Sequence, residues 1–552
     1  MSIHHPHGAD AVRFGLSERE NHVIDELRRG GLNRREFLRA ATIAGMSLPV
    51  AGLFAGPALA AKKAAVATGK RKPLLRVGVL APGSAIDPII ANNGGALLNL
   101  GLAGEYLAFS NNNLILEPRV ASSWTPNADS TLWTFKLRKG IKFHNGKALT
   151  ADDVVSTMDR LADPANKSNA LSVFKGLLDK GNTKKVDDYT VTFQLNSPTG
   201  AFPYLVSSDN YNAIILPRDY AGGWDKTFIG SGPWMLEKYV QDQGVTFKRN
   251  PSYWDKTRQP NFDRLQLVQF KDDKAALAQI QGGQLDWVAQ ASNATAQALA
   301  SDSNFVVTNV RTTGHLQIHL RSDKGLFADK RVRQAFALAM DRDAVVKGVI
   351  DGFGVLGNDS PMAPAYTTTD TTVAQRKKDL AKAKQLIADA KADGTAVTLS
   401  TWDRADLKIL AQVAQAAGKE IGLNVTLDVG DAGAYYDDKR SPSWLNSDFG
   451  ITEYGHRGVP NVYLNAAYKT AGVWNAAHYG NAALDAAIKT FVESSDVQAQ
   501  KAASKKIQET LLDDSPIVTT YFADILNVAR KSLTNYGTTG MGHLVTEKTT
   551  LS

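Results

Sequence analysis

The stretch that decides the fold reads WTFKLRKGIKFHNG at residues 133–146. Large apolar and polar residues alternate from Trp133 to Leu137, which is the period of a strand with one buried face. The Asn-Gly pair at 145–146 is typical of a tight turn, because glycine adopts positive φ angles without strain. The pattern predicts a strand and a turn, in which His144 belongs to the scaffold rather than to a functional site.

Strand and helix patterns interleave along the rest of the chain without a fixed repeat. Alternating or continuous apolar runs predict strands at 74–80, 131–137, 190–195, 245–248, 265–270, 397–402 and 424–429. Helical periodicity predicts helices at 329–350, 373–392, 405–421, 482–492 and 497–512. Asp341 is the predicted cap of a second helix within the first of these ranges. This interleaving indicates a mixed α/β protein with more than one lobe.

The composition narrows the class of protein. The chain has 552 residues, which is enough for two or three domains at about 100–200 residues each. Its net charge of +8 is spread along the sequence and does not indicate a nucleic-acid-binding surface. It contains no cysteine, which excludes disulfides, cysteine-ligated metals, a thiol nucleophile and a lipidated cysteine anchor. We predict no cofactor.

The N-terminal region has the order of an export signal. Residues 33–39 read NRREFLR, and an apolar run of mostly small residues continues to 60 and ends in ALA. This order resembles a twin-arginine signal with cleavage after Ala60. The run is also about long enough for a membrane anchor, but its three glycines and two prolines weaken it as a spanning helix. We expect a signal peptide at 1–60, a linker at 61–72, export by the twin-arginine translocase and a periplasmic mature protein.

Seven further motifs accompany the 133–146 stretch. They read EPRVASSW (117–124), LTADDVV (149–155), GSGPW (230–234), KRNPSYW (248–254), IQGGQLD (280–286), FADKRVRQA (327–335) and MDRD (340–343). In this order they resemble the extracellular solute-binding proteins of the oligopeptide, dipeptide and nickel type. The resemblance extends over nearly the whole mature chain.

The resemblance implies an α/β protein with the two-lobed periplasmic-binding-protein fold and an extra subdomain inserted in lobe one. Transferred to this chain, it places lobe one at 73–310 with the insert at about 114–225, lobe two at 311–516, and a return to lobe one at 517–552. It also implies the function of a periplasmic substrate-binding component of an ABC importer. Such a protein is a monomer that performs no catalysis and delivers its ligand to a permease and ATPase complex in the inner membrane.

In members of this family an extended peptide lies in the cleft between the lobes and pairs with strands from both. Two segments match the positions that line such a cleft, namely the loop after the first strand and the turn-rich stretch at 451–461. A tryptophan that ends the strand at 397–402 is a candidate aromatic wall. The candidate ligand-binding residues are therefore Gly83, Ser84, Ala85, Trp402, Glu453, Tyr454, His456 and Arg457.

One of these positions departs from the family pattern. Peptide-binding members place an aspartate in the second segment to pair with the ligand's free α-amino group, and this position falls on His456. A histidine does not anchor a cationic amine as a carboxylate does. Glu453 could substitute from nearby, or His456 and Arg457 could face an anionic ligand. Two ligand classes stay open: a peptide or peptide-like solute, and a non-peptide polar or anionic metabolite.

Fragments of enzyme and metal motifs are also present. Residues 172–175 fit S-x-x-K and residues 208–210 fit S-D-N, but the Lys-Thr-Gly motif that accompanies them in β-lactamases is missing. An exported hydrolase is thus the alternative from another class. His315 and His319 have the spacing of metal ligands on a helix, but their surroundings predict a strand, so we predict no metal site.

Overall fold

The computed structural model describes residues 72–81, 86–91, 94–240, 243–270, 272–437, 439 and 443–552. The predicted signal peptide and nearly all of the predicted linker lie outside these residues, as do the candidate site residues Gly83, Ser84 and Ala85. Within the described part of the chain, no helix combines the length and the apolar character needed to cross a membrane.

The strands and helices alternate along the chain. The strands are β1 (Lys72–Leu80), β2 (Ala108–Ser110), β3 (Leu116–Pro118), β4 (Ala121–Pro126), β5 (Leu132–Leu137), β6 (Thr183–Asp187), β7 (Thr190–Gln194), β8 (Trp234–Val240), β9 (Gly244–Arg249), β10 (Phe262–Phe270), β11 (Trp287–Ala291), β12 (Phe305–Leu320), β13 (Gly354–Leu356), β14 (Ala396–Trp402), β15 (Asn424–Gly430), β16 (Phe449–Tyr454), β17 (Ile517–Arg530), β18 (Leu533–Thr534), β19 (Gly537–Thr538), β20 (Leu544–Val545) and β21 (Thr550–Leu551). The helices are α1 (Gly94–Ala103), α2 (Ala151–Ala162), α3 (Leu171–Phe174), α4 (Phe202–Leu205), α5 (Trp224–Thr227), α6 (Asp273–Gln281), α7 (Asn293–Leu299), α8 (Lys330–Ala339), α9 (Arg342–Val349), α10 (Leu380–Asp389), α11 (Ala405–Glu420), α12 (Ala432–Tyr435), α13 (Asn461–Tyr463), α14 (Ala482–Glu493) and α15 (Val497–Asp514).

These elements confirm the predicted strands and most of the predicted helices. The helix predicted at 373–392 is wrong over its first part, because α10 begins only at Leu380. Before that point the chain bonds to another segment: the Arg376 N–H donates to Asn358 Oδ1 at 2.9 Å. The Arg376 guanidinium also lies 3.1 Å from the buried carboxylate of Asp359. These tertiary bonds override the helical periodicity there.

A single large sheet runs through the molecule in the order β15-β14-β16-β12-β17-β11-β1-β10-β9-β8, and β13 pairs with β17 at its side. Two of these strands are much longer than the others, with 16 residues in β12 and 14 in β17. They are antiparallel neighbours at the centre of the order. The strands on either side of them belong to different halves of the molecule.

The pairing of β12 with β17 is interrupted in the middle. Arg311 pairs with Asp524 and His315 with Phe522, so that three residues of β12 face one residue of β17. Such a bulge bends the strand and increases its twist. We call residues 311–315 together with 522–524 the hinge, because both connections between the two halves pass through it.

Two hydrophobic cores lie on either side of the hinge. The first packs under β1, β10, β11 and α1 and includes Trp287 and Ala529, and the second packs around β14, β16, α8 and α11 and includes Phe336 and Val518. The molecule therefore has two lobes. The predicted return point at 517 lies in the part of β17 that packs on the second core, and the strand reaches the first lobe past Ala523.

The stretch at 133–146 lies in an antiparallel sheet of its own, with the order β4-β5-β7-β6. Trp133 and Phe135 are buried in the first core, and Gly146 has a φ of 86°, as the turn pattern predicts. The His144 ring is hydrogen-bonded through Nε2 to the Gly232 carbonyl at 3.1 Å. These residues are scaffold, and their sheet lies within the range predicted for the inserted subdomain.

Four buried imidazoles stand out in the described part of the fold. Burial lowers the pKa of His315, His319 and His543 to about 4, and burial with the nearby Arg457 lowers that of His456 to about 3. An unfolded histidine takes up a proton near pH 6.5. Because the unfolded chain then binds more protons, these groups remove stability as the pH falls from about 6.5 toward 4.

We therefore predict that His319→Gln, which retains a side-chain donor toward Ser447, loses less stability in acid than the unmodified protein. Between pH 6.5 and 4.5 the free energy of unfolding should fall less steeply in the variant, by up to about 1.4 kcal/mol per pH unit. Urea unfolding at half-unit pH intervals measures this difference. The two slopes should coincide above pH 6.5, and identical slopes below it would contradict the buried neutral state of His319.

Candidate ligand-binding site

The loop that follows β16, residues 455–460, lies at the hinge. The Thr313 hydroxyl donates to the Arg457 carbonyl and accepts from the Arg457 N–H, both at 2.9 Å. The Tyr366 hydroxyl donates to the same carbonyl at 2.9 Å. This loop is therefore fixed to the break in β12 and projects toward the first lobe. We call it the seam loop.

The buried side chain of His456 holds the seam loop against β12. Its Nδ1 accepts the Thr313 backbone N–H at 3.1 Å, which leaves the proton of the neutral ring on Nε2. The ring lies against Gly540, where an added Cβ would approach its Cε1 to 2.7 Å. Since burial and the Arg457 charge hold the pKa of His456 at about 3, the imidazole is neutral at physiological pH. It therefore carries no charge with which to attract an anion.

A cavity lies between the seam loop and residues 173–210, at the surface where the two lobes meet. It has room for about one water molecule, about 10 Å³. The lobe-one residues that line it are Val173, Tyr204, Leu205, Asp209 and Asn210, and the lobe-two residues are Arg457, Gly458, Val459 and Val462. Val462 from lobe two is buried in the first hydrophobic core. The lobes are thus closed on each other, and we call this contact the seam.

Asp209 is the main polar group on the lobe-one side of the cavity. It is 7% exposed, and neither carboxylate oxygen has a hydrogen-bond partner. Burial raises the pKa of Asp209 to about 7, opposed by the Arg457 charge and more weakly by the Ser110 hydroxyl and the Gly458 N–H. A buried carboxylate without a partner is costly and calls for a cation or donors.

The lobe-two side of the seam also holds unpaired polar atoms. The buried Nε of Arg457 has no hydrogen-bond acceptor, although its Nη1 donates to the His456 carbonyl at 3.3 Å. The Asn461 amide and the Tyr463 hydroxyl are buried without partners as well. Polar groups at this depth are normally satisfied. Of these residues Arg457 lines the cavity together with Asp209, and a polar ligand there would pair with their unsatisfied atoms.

Trp402 and Glu453 form a separate group on β14 and β16. The Glu453 carboxylate accepts from Trp402 Nε1 at 3.1 Å and from the Tyr436 hydroxyl at 2.5 Å. The Arg404 guanidinium lies 3.6 Å from the carboxylate and over the Trp402 ring, 5.1 Å from its centroid. Glu453 therefore already has three polar partners, and that it also contacts a ligand stays a prediction.

Tyr454 is a core residue in this structure. Its hydroxyl donates to the Trp474 carbonyl at 3.3 Å, and its ring stacks on His315 with centroids 5.4 Å apart. The structure thus brings His456 and Arg457 to the seam, puts Trp402 and Glu453 in their own cluster, and buries Tyr454.

The loop after the first strand approaches the seam through the part that is described. Asn169 connects the two: its N–H donates to the Ile89 carbonyl at 3.2 Å, and its side chain donates to the Tyr211 hydroxyl at 2.8 Å. Tyr211 in turn lies within electrostatic reach of Arg457. The candidates Gly83, Ser84 and Ala85 precede this segment and lie outside the described residues.

Sequence reasoning missed Asp209. Its only sequence signal is the S-D-N pattern at 208–210, which was interpreted as a fragment of an enzyme motif. Among the described residues no group of three or more His, Asp or Glu is arranged to hold a metal ion. The imidazoles of His315 and His319 are bonded to Thr313 and Ser447 instead.

The structure thus has two lobes joined by a pair of long antiparallel strands, with unpaired polar groups at their contact. Residues 116–475 match the family described as bacterial extracellular solute-binding proteins, family 5. This range covers more than half of the chain. The protein therefore belongs to that family.

Curated relatives match over most of their length. Di/tripeptide-binding protein 1 of Pseudomonas aeruginosa is 26% identical over 76% of this chain and 83% of its own. The glutathione-binding protein GsiB of Salmonella choleraesuis is 23% identical over 91% of this chain and 96% of its own. The fold is similar to that of Bacillus subtilis AppA solved with a nonapeptide, with a TM-score of 0.72, 23% identity, and 88% and 99% of the two chains covered.

The seam leaves no room for a larger residue at position 458. An added Cβ on Gly458 would come within 1.8 Å of Asp209 Oδ2, whereas one on Gly455, in the same loop, would meet open space. We predict that Gly458→Ala hinders closure and weakens ligand binding at least tenfold, and that Gly455→Ala does not. Titration of both variants with the ligand that co-purifies with the unmodified protein measures this. Equal affinities would show that the lobes do not close as described.

Proposed function

We propose that this protein is the periplasmic substrate-binding component of an ABC importer and captures a peptide or peptide-like small solute between its lobes. The observation that carries the proposal is the seam, where Asp209 from one lobe and Arg457 from the other line one cavity with unpaired polar atoms. Opening at the hinge admits the ligand, and closure buries it and presents a closed shape to the permease and ATPase complex.

The charges at the seam favour a peptide over a purely anionic metabolite. Arg457 presents a guanidinium that suits a carboxylate. Asp209 lines the same cavity; its ionised form would repel a ligand with only negative charge and would be stabilised by a ligand cation. A short peptide carries one charge of each sign. The relatives named for di- and tripeptides support the same class. The non-peptide alternative keeps some support from the relative named for heme, Heme-binding protein A of Haemophilus influenzae.

The cavity is too small to hold even a dipeptide while the seam is closed as it stands. The ligand therefore enters with the lobes apart, and its own atoms fill part of the seam after closure. This favours a short ligand over a long one. The proposed route to the periplasm is the twin-arginine signal ending at Ala60, with Arg34 and Arg35 as its paired arginines.

We predict that dipeptides bind saturably and are returned intact. The nine tryptophans make intrinsic fluorescence a suitable readout, and mass spectrometry of the released solute checks that it is unchanged. Arg457→Gln should weaken binding of an equimolar dipeptide mixture at least tenfold, because it removes the cation that faces the peptide carboxylate. The same variant should change the binding of the corresponding dipeptide amides much less.

Arg218→Gln is the matched control, because it removes a surface guanidinium whose side chain is 68% exposed. It should bind like the unmodified protein. Binding of anionic metabolites but not of peptides would contradict the peptide proposal, and conversion of the solute into a product would contradict the binding function itself.

A further inference from the structure

The Asp209 carboxylate is the one strong acceptor on the lobe-one side of the cavity. It follows α4 in the inserted subdomain, and both of its oxygens are buried without a hydrogen-bond partner. Among the described residues it makes no ion pair. A carboxylate removed from water without such a partner is costly to the free protein.

The elements packed around Asp209 contribute several polar or charged groups, but none of these groups forms an ion pair with its carboxylate. The seam loop contributes Arg457, which lowers the pKa of Asp209 but does not contact it, and β2 contributes the Ser110 hydroxyl. Tyr463 of α13 and Tyr366 lie near enough for the Asp209 charge to act on them. The Ser110 hydroxyl and the Gly458 N–H of the seam loop lie near the carboxylate and lower its pKa weakly, but neither completes a hydrogen bond to it. A cationic ligand group would supply the charge partner that these elements do not provide.

The position where peptide-binding relatives carry an acid cannot do this work here. His456 occupies it, and its ring is neutral and bonded to the hinge at Thr313. The nearest acid on the same strand, Glu453, is bonded to Trp402 and Tyr436. The acid that is free to bind a ligand comes from the opposite lobe.

We propose that Asp209 binds the free α-ammonium group of a short peptide, and that it replaces from lobe one the acid that is missing at position 456. The inference rests on the proposed function and specifies its ligand class: short peptides with a free N-terminus and a free C-terminus. The ammonium group would bond to Asp209 and the carboxylate to Arg457. Since the two residues belong to different lobes, one zwitterionic ligand would connect them and favour closure.

This arrangement discriminates against blocked peptides. A site built to bond a charged group rejects an analogue that lacks it, because the buried protein group then stays unpaired. An N-acetylated peptide has no ammonium group and would bury Asp209 without a cation. Acetylation should therefore weaken binding to the unmodified protein at least tenfold.

The test compares an equimolar dipeptide mixture with the same mixture N-acetylated, using fluorescence titration of the mature protein, Asp209→Asn and Asp209→Glu. In Asp209→Asn the two mixtures should bind with affinities within about threefold of each other. The variant lacks the carboxylate charge that distinguishes a free amine from an acetylated one. Asp209→Glu should restore part of the preference for the free amine. Circular dichroism and thermal unfolding establish that each variant is folded, and Asp263→Asn, an exposed site on β10, is the matched control.

The outcomes separate this inference from the function on which it rests. If free and acetylated peptides bind the unmodified protein equally, Asp209 does not recognise the amine, although the peptide-binding function stands. The same holds if Asp209→Asn retains the preference for free peptides. If neither mixture binds, the peptide-binding function and this inference both fail.

Discussion

The whole arrangement depends on a gap in the pairing of β12 with β17. Residues 312–314 of β12 have no backbone register partners on β17, although the Thr312 hydroxyl donates to the Ala523 carbonyl at 2.7 Å. Their backbone groups therefore need other partners. The Thr313 N–H finds its partner in His456, and the Thr313 hydroxyl bonds to the backbone of Arg457. The break about which we propose that the two lobes turn thus also fixes the loop that presents Arg457 to the seam. The hinge and the candidate site are therefore connected directly, through the bonds from Thr313 to His456 and Arg457.

The unpaired polar groups at the seam connect ligand binding to closure of the lobes. In the closed structure Asp209, the Nε of Arg457, the Asn461 amide and the Tyr463 hydroxyl are buried without hydrogen-bond partners. Each such group costs about 1–3 kcal/mol when it is left unsatisfied, and a charged group costs more. A ligand that supplies the missing partners removes these costs only when the lobes are closed. Selectivity and closure therefore arise from the same interactions, which is what a capture protein for an importer requires.

Much of the fold could be predicted from the sequence, because strand and helix periodicities are local. The alternation at 133–137 and the Asn-Gly turn lie where the pattern put them, and the ordered motifs indicated two lobes. The helix prediction at 373–392 failed in part because Arg376 and Gln375 bond to the distant residues 357–359. Local periodicity carries no information about such contacts.

The site was less predictable for the same physical reason. The family resemblance located the seam loop with His456 and Arg457, but it could not show that His456 would be buried and neutral. Nor could it show that the Glu453 carboxylate would accept hydrogen bonds from Tyr436 and Trp402. Asp209 lies about 250 residues from Arg457 in the sequence, and only the closed lobes bring both to one cavity.

A distance measurement across the seam tests ligand-driven closure most directly, and the chain suits it because it contains no native cysteine. Spin labels at Lys175→Cys and Val473→Cys, exposed positions in the first and the second lobe, would report the separation of the lobes by pulsed electron spin resonance. Our account predicts a long, broad distance distribution in the ligand-free protein and a shorter, narrower one after a saturating dipeptide mixture is added. An unchanged distribution while peptide is bound would contradict it.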